Sequence, residues 1–188
     1  MKSSLSVLCR SSVLILAGLL MFSHDGLSQQ ANGSGASIQK SFSAVALAAY
    51  QESSISKVND FYSYLEILAM PETSAELAQQ LEQNIMTMFV DETEQVLDFT
   101  SATPTLIPVK SLLQKLRNTA LRFSVKASPL HYPVFQNYWL SQYSVEVKNN
   151  EKVTALPVRQ RVYLQLRPKL FGDKSKITWD MALGEMEP

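Results

Sequence analysis

A chain of 188 residues with a hydrophobic fraction of 46% has enough apolar material for one packed core, which excludes wholesale disorder. Its 17 basic and 17 acidic side chains cancel, so the chain as a whole has no electrostatic reason to seek nucleic acid or anionic lipid.

The first residues read as a targeting segment. Lys2 and Arg10 precede an apolar run over residues 11–22, the length of a signal-peptide core and shorter than a bilayer span. Gly26-Leu27-Ser28 offers small residues where a signal peptidase reads, so residues 1–28 are expected to be a signal peptide cleaved after Ser28. Cys9 is the one cysteine and precedes the apolar run, which is the wrong side for a lipoprotein anchor. The mature chain then has no cysteine and no stable membrane span. This points to an exported protein, periplasmic or extracellular, of bacterial type, stabilised by its core and not by disulfides. Residues 29–40 read as a flexible linker, and residues 41–187 as a single domain.

Residues 41–70 predict a helix. Ile55, Val58, Phe61, Leu65 and Leu68 recur at spacings of three and four and share one face. Ser53-Ser54 offers a place for a break, and Pro71 ends the element. Thr73 with Glu76 three residues on is a capping-box pattern. It opens a second helix over residues 74–89, with Leu77, Leu81, Ile85 and Phe89 on its apolar face. A short edge strand over residues 95–99 follows, then a loop over 101–108 punctuated by two prolines, then a short helix over 109–118.

The period then changes to two. Leu121, Phe123 and Val125 alternate with polar residues, as in a half-buried strand. Residues 127–137 read as an ordered, aromatic loop. Three further strands complete the chain, over residues 138–148, 153–167 and 176–186. Trp139, Tyr143, Val145 and Val147 share a face of the first. Val158, Val162, Leu164 and Leu166 share a face of the second, opposite Arg159, Arg161, Tyr163 and Arg167. Ile177, Trp179, Met181 and Leu183 share a face of the third. Pro157 places the start of the second at an edge or a bulge. One face of this meander is apolar and needs the upstream helices as cover. The fold class is therefore α+β, with N-terminal helices packed on one face of a curved antiparallel sheet.

Few chemistries survive inspection. With His131 as the one mature histidine and no cysteine, a His/Cys zinc site cannot form within one chain, and no metal is expected. Asp91-Glu92-Thr93-Glu94 lacks the glycine and spacing of a calcium loop. Gly33, Gly35, Gly172 and Gly184 form no phosphate cradle, so no nucleotide cofactor is expected. Asp60 lies off the apolar stripe of its helix and reads as solvent-facing. The residues offered for contact with a ligand or partner are His131, Tyr132, Trp139, Tyr143, Arg159, Arg161 and Tyr163. They come from the aromatic loop and its flanks over 131–139, from the first of the three strands at Tyr143, and from the polar face of the second.

The order helix, helix, short strand, short helix, then antiparallel strands resembles the NTF2-like (cystatin-like) superfamily over residues 41–187. The resemblance rests on element order. It implies a curved sheet wrapped around helices to leave a cone-shaped pocket, in a superfamily of isomerases, dehydratases, transport adaptors and catalytically silent modules. The function expected is a non-enzymatic exported module that binds an envelope protein or a small apolar ligand. The alternative is an NTF2-like pocket enzyme of isomerase or dehydratase type, using a lone carboxylate or tyrosine.

Overall fold

The computed structural model describes residues 37–101, 103–127 and 132–187. The expected signal peptide and residues 29–36 lie outside them, as does His131. The end of the expected linker is ordered. A single helical turn, α1 (Ile38–Ser41), buries Ile38 completely, and the Ile38 N–H donates to the carbonyl of Gln136. The Gln39 amide also donates to the Val134 carbonyl, so the turn is tied to the loop before β4 by a buried side chain and two hydrogen bonds.

The long helix α2 (Ala44–Ala69) starts at Ser43, whose hydroxyl accepts from the Ala46 N–H. It runs through Ser53-Ser54 without a break, because the buried Ser54 hydroxyl donates back to the Gln51 carbonyl. Val58, Phe61, Leu65 and Leu68 are the buried stripe, as their spacing requires. Helix α3 (Ala75–Met88) is capped one residue later than expected. Ser74 is the cap and accepts from the Leu77 N–H. Thr73 instead donates its hydroxyl to the Ile67 carbonyl at the end of α2. The shift leaves Leu77 exposed and turns Ala78 inward beside Leu81 and Ile85.

A small hairpin follows. Strand β1 (Gln95–Leu97) pairs antiparallel with β2 (Leu106–Pro108), so the expected proline loop ends in a strand. Pro108 then starts α4 (Val109–Leu116), which buries Val109, Leu112, Leu113 and Leu116. The loop between β1 and β2 is pinned by Asp98, whose residue is 2% exposed. One carboxylate oxygen accepts from the N–H and hydroxyl of Thr100, and the other from Lys115 at 2.7 Å. Burial alone would raise the Asp98 carboxyl. The hydrogen bonds from Lys115 and Thr100 outweigh that and hold it below the usual carboxylate range.

A depressed folded-state pKa means the stabilisation is complete above the unfolded value, about 3.9, and is lost as pH falls through the folded value. Asp98→Asn is expected to cost about 1–3 kcal/mol at neutral pH. The gap to wild type should narrow as pH falls below about 4. Denaturant midpoints across that range check both.

The larger sheet holds β3 (Arg122–Ala127), β4 (Tyr138–Asn149), β5 (Lys152–Phe171) and β6 (Lys174–Glu187), antiparallel and in chain order. Alternation places Trp139, Tyr143, Val145 and Val147 of β4 on the face that α2 crosses. Tyr62 of α2 meets Tyr143 edge to face at 5.9 Å, and Lys57 donates to the Met181 carbonyl of β6. The free edge of β6 is covered where Val90 donates to the Leu183 carbonyl at 2.9 Å. Arg167 reaches across to the carbonyls of Thr87 and Phe89, closing the end of α3.

Two-residue turns at Asn150-Glu151 and Gly172-Asp173 fix which way each β5 residue points. Pro157 faces the side that β6 does not reach, so its missing N–H costs no ladder bond. Between Gln160 and Val162 the register shifts, with Gly184 and Glu185 of β6 opposite Arg161 alone, a bulge on β6. Both strands run further than their expected ends at 167 and 176. Pairing with β4 stops at Tyr163, and the Leu164 N–H still donates to the Asn137 carbonyl, so from Gln165 to Phe171 the backbone ladder of strand β5 is with β6 alone.

Candidate functional site

The sheet has two faces, and they divide the expected contact residues. Trp139 and Tyr143 lie on the core face, 0% and 4% exposed, and so cannot form one surface with the arginines. The two-residue period that puts Arg159, Arg161 and Tyr163 outward turns Trp139 and Tyr143 inward. Tyr132 is an anchor of the loop. Its hydroxyl donates to the Gln142 carbonyl, and its own carbonyl accepts from Gln51.

On the core face the polar groups are joined to one another. The Tyr62 and Tyr143 hydroxyls stand 3.3 Å apart, and Tyr143 donates to Gln160 Oε1 at 2.7 Å. Gln160 Nε2 donates to the Gly184 carbonyl at 3.2 Å. Burial pushes both tyrosines above their ordinary value, so both are neutral hydrogen-bonding groups at physiological pH. Trp139 Nε1 and Ser141 Oγ, two positions apart on β4, are buried without a partner among the described residues.

The outer face brings together what the sequence left separate. Phe135, from the loop after β3, stacks on Tyr138 at 4.8 Å between ring centroids. Tyr138 lies against Tyr163 of β5 at 5.4 Å, because the two are opposite partners in the β4–β5 register. The Arg161 guanidinium sits over the Tyr138 ring, 5.4 Å from its centroid. A Cβ at Gly184 would run into the Tyr163 ring, so glycine there is what lets the ring lie across β6.

The arginines have partners of their own. Arg161 bridges Glu185 and Glu187, and Arg159 bridges Glu187. Burial alone would lower the Arg161 guanidinium. Its hydrogen bond with Tyr163 and the neighbouring carboxylates reverse this and raise it. Burial, then the charge of Glu185, raises the Glu94 carboxyl behind this network. The outer face is therefore an aromatic platform with a charge-balanced rim, and not an open anion receptor.

Beside the platform runs an open groove of about 460 Å³. Lys126, Gln142, Ser144, Pro157 and Arg159 line it on the same face, and Tyr143 contributes at its floor. Among the described residues no three His, Cys, Asp or Glu side chains gather as a metal-holding group. Among the same residues no helix is long and apolar enough to cross a membrane.

Tyr138 and Phe135 fall within the expected contact stretch over 131–139 but are not singled out in it. The signal for Tyr138 was present in the alternation of β4, which puts it on the face opposite Trp139. Phe135 carried no periodic signal. No family model, no curated protein and no solved structure matches the chain.

Proposed function

We propose that the chain is an exported, non-enzymatic interaction module of NTF2-like outline that docks an envelope protein through the outer face of its sheet. The observation that carries this reading is the convergence of Phe135, Tyr138, Tyr163 and Arg161 on one open face. Aromatic rings and arginine dominate binding energy at protein interfaces, because rings bury much area at low entropic cost and a guanidinium both stacks and hydrogen-bonds. The rim of paired Arg159, Glu185 and Glu187 adds selectivity, since a partner must match its alternating charge.

The order α2, α3, β1, β2, α4 and β3 to β6 supports the NTF2-like outline, and export rests on the sequence of residues 1–28. The pocket-enzyme alternative needs a tyrosine or carboxylate turned toward a substrate. The Tyr143 hydroxyl is instead held by Gln160, and that weighs against it.

Affinity capture with the mature chain from its native envelope tests the proposal. One partner is expected with the wild type and at least about tenfold less with Phe135→Ala, which removes a ring that is 44% exposed. Equal capture by both chains, or a chain recovered alone, would remove the platform from the function.

A further inference from the structure

The two-stranded arm formed by β5 and β6 beyond Tyr163 has apolar side chains with no cover. Its inner face continues the core face through Leu166, Pro168, Leu170, Ile177 and Trp179. Phe42 packs on Trp179 at 5.1 Å, and beyond that point the row meets solvent. Ile177 is 71% exposed and Leu170 78%. At the last rung Phe171 is also exposed, next to the Gly172 turn.

The other side chains of the arm are basic. Arg167, Lys169, Lys174 and Lys176 stand against Asp173 and Asp180, a net charge of 4 − 2 = +2 over residues 166–180 in a chain whose formal net charge is zero. Asp180 is paired with Lys169 at 3.0 Å, and Arg167 is engaged by the end of α3. Lys174 and Lys176 follow the turn, which itself carries Asp173, so the tip is net 2 − 1 = +1 by these three groups, and Lys176 stands over the Phe171 ring at 6.0 Å. Neutrality of the whole chain therefore conceals a local cationic, apolar tip.

We infer that this arm is a membrane-surface contact: its tip enters the headgroup region of an anionic bilayer, with Lys174 and Lys176 held at the phosphates. Three dimensions favour lipid over a second copy of the chain. The arm is about 25 Å long and about 10 Å wide, a flat area of roughly 250 Å², well below the ~800 Å² per partner of a stable interface. Its free β5 edge carries Pro168, whose ring nitrogen points to the unpaired side and offers no donor to another strand. From the turn to the Pro168–Ile177 rung is about 10 Å, which matches the depth to which interfacial segments bury apolar side chains. Lysine stems are long enough to reach back to the phosphates from that depth.

The test replaces Phe171→Trp in the mature chain and mixes it with vesicles of brominated phosphatidylcholine containing phosphatidylglycerol. Quenching above that of the wild type is expected, since its Trp139 is buried and its Trp179, packed against Phe42 on the Leu166 rung, stands further from the tip, and added salt should reverse it. Lys174→Gln with Lys176→Gln is expected to weaken vesicle binding about ten- to thirtyfold, with the circular dichroism spectrum unchanged. No excess quenching would overturn the inference. So would equal binding to phosphatidylcholine alone, or a tip tryptophan already shielded in a sedimenting dimer without vesicles.

Discussion

Trp139→Ala is expected to cost about 3–5 kcal/mol, because it empties the largest fully buried side chain of the core. A domain of this size has about 5–15 kcal/mol in all, so much of the variant should be unfolded at growth temperature. The indole cannot be relieved by collapse from one side. It is held on β4 between its register partner Val162 and the helices, in a core whose other members are already buried. Nε1, which has no partner among the described residues, slightly offsets the loss, since alanine removes a buried donor. Chemical denaturation, or loss of soluble protein where the variant cannot be purified, gives the readout.

The preceding residue in sequence is expected to behave in the opposite way. Tyr138→Ala points outward, where Phe135, Tyr163 and Arg161 converge. Its cost to stability should stay near 1 kcal/mol, the worth of an aromatic contact at a half-exposed site. Its cost to partner binding should reach about 2 kcal/mol, close to thirtyfold in affinity. The contrast between positions 138 and 139 is the physical content of a two-faced strand. One side holds the fold, and the other is available to a partner. Titration of the captured partner against both chains measures it.

Much of the fold is legible in the sequence. The period-two runs define β3 to β6, and the spacing of Val58, Phe61, Leu65 and Leu68 defines the buried face of α2. Both signals reflect burial against one face, which alternation encodes directly. The strand β2 is not legible, because Leu106–Pro108 is too short to show a period and is stabilised by its pairing with β1. The order of α1 is equally hidden, since it depends on a contact between Ile38 and a loop almost a hundred residues away.

The candidate site is legible in part. Alternation along β5 turns Arg159, Arg161 and Tyr163 outward, and the aromatic loop is visible in its composition. What alternation cannot give is who stands opposite whom. The salt bridges of Arg161 to Glu185 and Glu187 depend on the bulge beside Gln160, which shifts the β5–β6 register by one residue. The stack of Phe135 on Tyr138 depends on a loop path. The arm is hidden for the same kind of reason. Leu166 and Ile177 keep the pattern of a core strand, yet they lie beyond the start of β4 at Tyr138 and are exposed.

Site-specific photo-crosslinking in the native envelope tests the outer face most directly. A benzophenone side chain is placed at Tyr163, at Phe135, and, as a control, at Leu77, exposed on α3. One adduct of the same mass from positions 163 and 135, and none from position 77, is the expected result. Adducts from position 77 alone, or none from the sheet face while the protein remains folded, would contradict a docking role for that face.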